Sequence, residues 1–237
     1  RGPVSGFASN FMLAMNPQIV KTYAGGELDQ TKILMARGGL LSFALMWLFA
    51  LPLMLEVEFV LDIWLDDVPE YTAPYVVMAL IFSLIQTLYS SVNIGIHATG
   101  RIKGLSFIGG SMLMAGVLIS YVMMRFVDNL LIPFMVNILI VAASAIVNLY
   151  LLRHEMSEFD VRSYIKDVYL KSFMIILVTL PLPLALHLVL GHGIVSSLLV
   201  ISVSVLCVSA ALYFMVLSVS ERKSLNEAVR NKLRKNA

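Results

Sequence analysis

Long apolar runs separated by short charged connectors divide the chain into seven predicted spans. Each is near the length of about 20 residues at which a helix crosses a hydrocarbon core, although Asn16 and Pro17 interrupt the first. The runs lack the short alternation of barrel strands, so their backbone groups must be bonded within helices. The pattern therefore predicts an all-α, polytopic transmembrane helical bundle. The spans cover residues 4–20, 39–55, 74–97, 105–124, 130–152, 170–190 and 194–219.

A polar seam interrupts the apolar surface of the third predicted span. Its members recur at steps of three and four, and on a helix turning about 100° per residue they share one face. At about 1.5 Å per residue the seam is about 21 Å long, which is most of a hydrocarbon core. Two interpretations stay open: hydrogen bonding to neighbouring helices, and the lining of a cavity that holds water or substrate. The seam consists of Ser83, Gln86, Ser90, Asn93 and His97.

The next two spans carry features of helix packing. Small residues in the fourth span, among them Gly109, Gly110 and Gly116, predict close approach of a neighbouring helix. On the fifth span Asn137 and Asn148 fall on one face, with Ser144 on the same face between them. Interhelical hydrogen bonding and cavity lining both stay open for these amides.

Three prolines are candidate helix breaks, because proline lacks the N–H that a helix interior requires. Pro17 lies near the end of the first span, and Pro181 and Pro183 lie in the sixth. His187 follows Pro183 by one turn, deep in the same span. We expect a hydrogen-bonded neutral imidazole there rather than a proton relay.

The composition excludes several classes of protein. With 59% hydrophobic and 14% charged residues, and a mean hydropathy of +0.87, the chain is no soluble domain. Cys207 is the one cysteine, so a disulfide framework and a CxxC metal or redox site are excluded. The sequence contains no P-loop, HExxH or GxSxG motif, and no acid lies in the middle of a predicted span. No cofactor, metal site or enzymatic activity is expected.

Basic residues distinguish the two sides of the predicted bundle. One set of connectors, together with the C-terminal tail, holds 15 of the 17 lysines and arginines, whereas the other set holds only Arg1 and Arg125. The positive-inside rule then places the first set and the C-terminus in the cytoplasm and residue 1 outside, which requires an odd number of spans. Arg101 and Lys103 would form a basic cytoplasmic mouth at the end of the seam.

Three further segments lead to predictions of their own. The outer connector, residues 56–71, holds six acids; an interfacial helix is favoured over a metal-binding cluster, with Trp64 and Trp47 in the aromatic belt. Residues 158–171 predict an amphipathic cytoplasmic surface helix. The tail predicts a basic amphipathic helix on the anionic inner leaflet. Because the tail has no interleaved aromatic residues, no nucleic-acid partner is expected.

Short motifs follow one another from the first span to the turn after the seam. They are Asn16-Pro17, Lys21, Tyr23, Gly26-Glu27, Pro52, Ile63-Trp64-Leu65, Pro69-Glu70-Tyr71 and Ala98-Thr99-Gly100-Arg101-Ile102-Lys103. In this order they resemble the C-terminal part of the polysaccharide (O-antigen type) flippases. These are lipopolysaccharide-biosynthesis membrane proteins of the multidrug/oligosaccharidyl-lipid/polysaccharide flippase superfamily. The resemblance covers residues 5–155 well, and the last two spans match mainly in number and place.

The resemblance implies two six-helix bundles around a central cavity, followed by two extra helices. The chain is then expected to be a fragment of a longer protein. Similar proteins move lipid-linked oligosaccharides across the cytoplasmic membrane by alternating access. The family's basic cavity residues have no counterpart within a span of this half. In this scheme residues 1–155 are the second bundle without its first helix, 156–171 a cytoplasmic amphipathic elbow, 172–219 the extra pair and 220–237 the basic tail.

The leading hypothesis is a flippase half in the cytoplasmic (inner) membrane, whose seam hydrogen-bonds sugar hydroxyls or water. The expected partners are the lipid bilayer and a lipid-linked oligosaccharide; a coupling cation and polysaccharide-assembly membrane proteins stay open. One alternative is a cation-coupled small-molecule antiporter of the same fold, which needs an intramembrane acid. A second is a membrane-embedded glycosyl or isoprenoid transferase that uses the acids of residues 62–70 with a divalent metal. A structural partner subunit is the third.

Overall fold

A computed structural model describes residues 3–191, 193–218, 221–224 and 226–227, with side chains at Met12 and from Met15 onward. This part of the chain is helical and contains no strand. Two stretches, Ile165–Leu170 and Leu212–Val216, have the wider turns of a π-helix. The helices are α1 (Pro3–Ala24), α2 (Leu28–Leu55), α3 (Val57–Trp64), α4 (Thr72–Ala98), α5 (Lys103–Met124), α6 (Ile132–Glu155), α7 (Val161–Tyr164), α8 (Lys171–Thr179), α9 (Pro181–Leu190) and α10 (Ile194–Ala211).

Within the described residues, six helical segments are long and apolar enough to cross a membrane, as in a multi-pass membrane protein. The first predicted span forms α1, a helix of 22 residues that is not among the six. Its polar residues, including Asn16, Gln18 and Lys21, lower its hydropathy below that of the others. The six segments are Leu28–Leu55, Thr72–Ala98, Lys103–Met124, Ile132–Glu155, Val161–Leu190 and Ile194–Val216.

Helix α2 lies at the centre of the molecule. It packs against α1 and α4 and also against α8 and α10. One core cluster joins Phe43 and Leu51 of α2 to Leu84 of α4, Ile175 of α8 and Val208 of α10. Helix α2 therefore packs both against helices that precede residue 155, α1 and α4, and against helices that follow it, α8 and α10.

Trp47 belongs to this core. The prediction that Trp47 lies in an aromatic belt is wrong, because only 4% of its surface is exposed. Its indole Nε1 donates a hydrogen bond to Oγ1 of Thr179 on α8 at 2.9 Å, which satisfies the polar end of the ring inside the protein. Trp64, at the end of α3, is 79% exposed.

The three candidate breaks have different outcomes. Helix α1 continues through Pro17, so the break predicted there is wrong; packing of α1 on α2 and α4 holds the helix on both sides of the proline. The sixth span does break, at Leu180, between α8 and α9. Pro181 occupies the first position of α9, where a helix leaves N–H groups without intrahelical partners. Pro183 lies in the same first turn and is buried.

Residues 158–171 do not form a separate surface helix. Asp160 caps α7, its Oδ1 accepting from the backbone N–H of Arg162 at 2.9 Å, and the helix then runs through the π-type turns into α8. Tyr164 and Val168 are buried against α2 and α4 rather than lying on a cytoplasmic surface. Ile165, which the apolar spacing places on the buried side, is 42% exposed.

Helix α5 lies at the edge of the described structure. It packs on α6 and has no buried residue. A Cβ at Gly116 would meet Ile140 of α6 at 3.3 Å, so close approach is confirmed there. Gly109 and Gly110 have open space where a Cβ would lie, so the predicted packing face is wrong for these two glycines.

Candidate functional site

The polar seam of α4 lies on the side of the helix that points away from the core. Gln86 and His97 are exposed, and the other seam residues are half-buried. The opposite side of α4, which includes Leu84, Ser91 and Gly95, is buried. Helix α4 thus directs Gln86 and His97 outward, away from its buried side.

The two serines of the seam are satisfied within their own helix. The hydroxyl of Ser83 donates to the carbonyl of Ala79 at 2.8 Å, and that of Ser90 donates to the carbonyl of Thr87 at 3.0 Å. Such local bonds let a serine face an apolar medium without a partner on another helix. The remaining groups of the seam are the amides and His97, and of these Gln86 also has a partner on its own helix, the side chain of Tyr89.

Asn93 joins the seam to α6. Its Oδ1 accepts a hydrogen bond from Nδ2 of Asn148 at 2.9 Å. Asn148 is 7% exposed, so this pair lies inside the contact between the two helices. For Asn93 and Asn148 the packing interpretation is the one the contacts support. The pair places the seam beside the amide face of α6.

The rest of that amide face behaves differently. Asn137, on the same helix, is exposed. Ser144 donates to the carbonyl of Ile140 at 2.8 Å and also lies 3.5 Å from Sδ of Met112 on α5. One amide of α6 is thus used in packing, while the other is open to the surroundings of the chain.

The turn after the seam carries the predicted basic mouth. Gly100 has a φ of +72°, a conformation that glycine adopts without a steric penalty, and the chain reverses there between α4 and α5. Arg101 is 75% exposed in its side chain, with its NH1 nitrogen 3.6 Å from the Glu155 carboxylate. Lys103 is exposed at the start of α5. Both charges lie at the His97 end of the seam.

A second set of polar contacts, absent from the sequence predictions, connects the helix Val161–Leu190 to the rest of the molecule. The hydroxyls of Tyr164 and Ser91 lie 2.6 Å apart, and Tyr164 also lies 3.2 Å from the carbonyl of Leu88. Ser172 is buried on the same side two turns after Tyr164, and Thr179 receives the bond from Trp47. The spacing of Tyr164, Val168, Ser172 and Thr179 was a signal available in the sequence.

A contact between an imidazole and a buried carboxyl group lies further along the same helix. Nδ1 of His187 is 2.8 Å from Oε1 of Glu56, whose residue surface is 6% exposed. The prediction that His187 is hydrogen-bonded is confirmed. Within the connector for which an interfacial helix was predicted, Glu56 lies inside the protein, where α2 ends and α3 begins. Sequence spacing gave no signal for this contact, because the partners are 131 residues apart.

Two cavities adjoin these contacts. One of about 940 Å³ is lined by Glu56, His187, Glu58, Asp62 and Ser197, together with apolar residues of α2, α3 and α10. The other, of about 390 Å³, lies between α2, α7 and the turns after α10, and several of its charged residues form ion pairs. In that cavity Arg37 lies 3.3 Å from the carboxylate of Glu221, and Lys171 lies 2.8 Å from that of Asp167.

Within the described ranges, no three His, Cys, Asp or Glu side chains are grouped so that they could hold a metal ion. The chemistry available in the described site is hydrogen bonding by amides, hydroxyls and imidazole along an apolar helix surface. No family model, curated protein or solved structure matches the chain.

Proposed function

We propose that the chain is half of a flippase that moves a lipid-linked oligosaccharide or polysaccharide precursor across the cytoplasmic membrane by alternating access. The observation that supports this proposal is the outward direction of the seam on α4. Gln86 and His97 are exposed on a helix that is otherwise apolar enough to span a bilayer. Exposed polar side chains are costly against hydrocarbon, so a face that carries an amide and an imidazole favours a polar neighbour.

A water-filled or sugar-filled path meets that requirement. Sugar hydroxyls both donate and accept hydrogen bonds, as do an amide and a neutral imidazole. Arg101 and Lys103, at the His97 end, would attract an anionic headgroup before it reaches the amides. The substrate class comes from the sequence resemblance, and the seam supplies a path with matching chemistry.

The experiment replaces the exposed polar groups of the seam by an apolar residue of similar size. We expect the double variant Gln86→Leu, His97→Leu to reduce surface polysaccharide to background in cells that depend on this protein, with a normal level of the protein in the membrane. Asn93 is left in place, because its removal would unpair the buried Asn148. Normal polysaccharide in the double variant would contradict the proposal.

Ser202→Leu is the matched control. Ser202 is exposed on the spanning helix α10, and its hydroxyl donates to the carbonyl of Leu198 at 2.7 Å, in the manner of Ser83. A general effect of added apolar surface would lower polysaccharide in both variants. We expect Ser202→Leu to retain the wild-type level.

A cation-coupled antiporter of the same fold is the second candidate function. It is favoured by one observation, the buried acid Glu56 at the end of a spanning helix. Such an antiporter would export a small molecule in exchange for a cation. We expect Glu56→Gln to abolish cation-driven export in vesicles if this is the function, whereas oligosaccharide translocation that needs no cation gradient would exclude it.

A further inference from the structure

The contact between Glu56 and His187 has the properties of a site that binds a proton. The two groups are 2.8 Å apart; Glu56 lies between α2 and α3, and His187 lies on α9. The Glu56 side chain is 7% exposed, whereas that of His187 is 28% exposed and borders the cavity of about 940 Å³. The imidazole can therefore exchange a proton with water while its partner carboxylate stays inside the protein.

The surroundings of the pair are acidic. From α3, Glu58 and Asp62 face the same cavity, and the α10 residues that line it, Ile194 and Ser197, do not titrate. The described lining includes no lysine or arginine. The carboxylates that line this cavity therefore have no lysine or arginine among their described neighbours. A proton on His187 would supply the positive charge that offsets the Glu56 carboxylate.

We propose that Glu56 and His187 form a proton-binding pair that fastens α9 to the end of α2, and that loss of the proton loosens this contact. In the protonated state an imidazolium donates its Nδ1–H to the Glu56 carboxylate. When the imidazolium loses a proton, a neutral imidazole stays bound beside the Glu56 carboxylate. A buried carboxylate without a compensating charge is unfavourable, so the deprotonated contact is the weaker one.

The break at Leu180 gives this change a structural consequence. Helix α8 is held to α2 by Trp47 and Thr179, whereas α9 begins after the break and packs on α10. Pro181 and Pro183 donate no backbone hydrogen bond at this junction, so α9 can bend relative to α8 there while α8 stays in place. The inference concerns a proton site and a helix movement, and it does not depend on which molecule is transported.

The test measures the distance between α3 and α9 as a function of pH. Spin labels are placed at Ile63→Cys and Val189→Cys, two positions that are 72% and 81% exposed, in a Cys207→Ser background. The protein is reconstituted in lipid nanodiscs and compared at about pH 5 and about pH 8, the range over which imidazoles change charge. We expect a population with a longer distance to grow with pH, by up to about tenfold per pH unit for one released proton.

Two variants separate the pair from its surroundings. His187→Gln keeps a side-chain donor for Glu56 and cannot become charged, so its distance distribution should be the same at both pH values. Glu58→Gln removes a neighbouring acid and leaves the pair intact, so it should retain the pH response. If His187→Gln does not give a monodisperse protein, Glu56→Gln replaces it with the same expectation.

Three results would overturn the proposal. The first is a wild-type distance distribution that does not change with pH. The second is a pH response that persists in His187→Gln or Glu56→Gln, because another group would then be responsible. The third is loss of the response in Glu58→Gln, since the responding unit would then not be the pair. None of these results depends on transport, so the proposed function can fail or hold separately.

Discussion

Two helices of this protein carry a line of polar residues at helical spacing, and the lines face opposite ways. On α4, Gln86 and His97 point away from the core. On the helix Val161–Leu190, the corresponding residues point into the core: Tyr164 and Thr179 are 3% and 1% exposed. Regular spacing shows that polar side chains share a face. It does not show whether that face meets protein or another medium.

The two lines of polar residues differ because only the line on Val161–Leu190 meets matching groups on α2. Gly39 of α2 leaves room for Tyr164 and Ser91, whose hydroxyls lie 2.9 Å from where its Cβ would be. Further along α2, the indole of Trp47 meets Thr179. Gln86 interacts with Tyr89 of its own helix rather than with α2, and both Gln86 and His97 stay exposed. The buried line is therefore interpreted as packing, and the exposed line is the candidate path.

The largest expected effect is on the buried side. Gly39→Val would force side-chain carbons into the Ser91–Tyr164 contact, and overpacking of this kind costs about 1–3 kcal/mol. Gly110→Val is the control, because nothing lies within 4 Å of its Cβ position on α5. The measurement is unfolding in mixed micelles by added denaturing detergent. If the two variants were equally stable, the tight packing at Gly39 and the open space at Gly110 would both be in doubt.

A smaller loss is expected when only the Tyr164 hydroxyl is removed. Tyr164→Phe leaves the buried Ser91 without its partner at 2.6 Å, and an unsatisfied buried hydroxyl costs about 1–3 kcal/mol in water-soluble proteins. In a membrane protein we expect the free energy of unfolding to fall by about 1 kcal/mol. Tyr150→Phe, at a position that is 61% exposed, should be neutral. The same unfolding assay distinguishes the two variants.

The hydrogen bond between the seam and α6 should contribute less to stability than the Tyr164 hydroxyl does. A double-mutant cycle with Asn93→Leu and Asn148→Leu isolates the 2.9 Å amide bond, for which we expect a coupling of about 0.6 kcal/mol. Additive effects of the two substitutions would show that the amides do not bind each other in the membrane, and the seam would then lack its link to α6.

The smallest effect concerns the start of the tail. Hydrogen bonds from the hydroxyl and the backbone N–H of Ser218, together with nearby Arg37, hold the pKa of Glu221 below its usual value. A carboxyl whose pKa is lowered by folding stabilises the folded state above its unfolded pKa. That contribution is lost as the pH falls through its folded pKa. We expect a spin label at Asn226→Cys to become more mobile on acidification, and Arg37→Ala to weaken this transition. Mobility that is independent of pH would contradict the anchoring of the tail by Glu221.

Much of the fold follows from hydropathy alone, since six of the seven predicted spans are helices long and apolar enough to cross a membrane. The break before Pro181 was also predictable, because proline lacks the required N–H. The same rule fails at Pro17, where contacts with α2 and α4 hold the helix together. Local chemistry identifies the weak position, and tertiary packing decides whether the helix breaks there.

The site was predictable only as a set of residues. The seam could be listed from its spacing, but the pairing of Asn93 with Asn148 depends on how α4 and α6 are rotated about their axes. The burial of Trp47 and of Glu56 depends in the same way on the docking of α8 and α9 on α2. Single-helix patterns contain no information on these rotations, because the partners are separated by more than 50 residues in the chain.

The central claim is that the seam of α4 faces a polar path, and thiol reactivity tests it most directly. Gln86→Cys and Ser202→Cys are compared in a Cys207→Ser background, using a water-soluble, membrane-impermeant thiol reagent. Both positions are exposed and lie well inside their spanning helices. Because the reactive thiolate forms only where water reaches it, we expect Gln86→Cys to react at least about tenfold faster. Equally slow reaction at the two positions would show that the seam faces lipid or protein and would contradict the account.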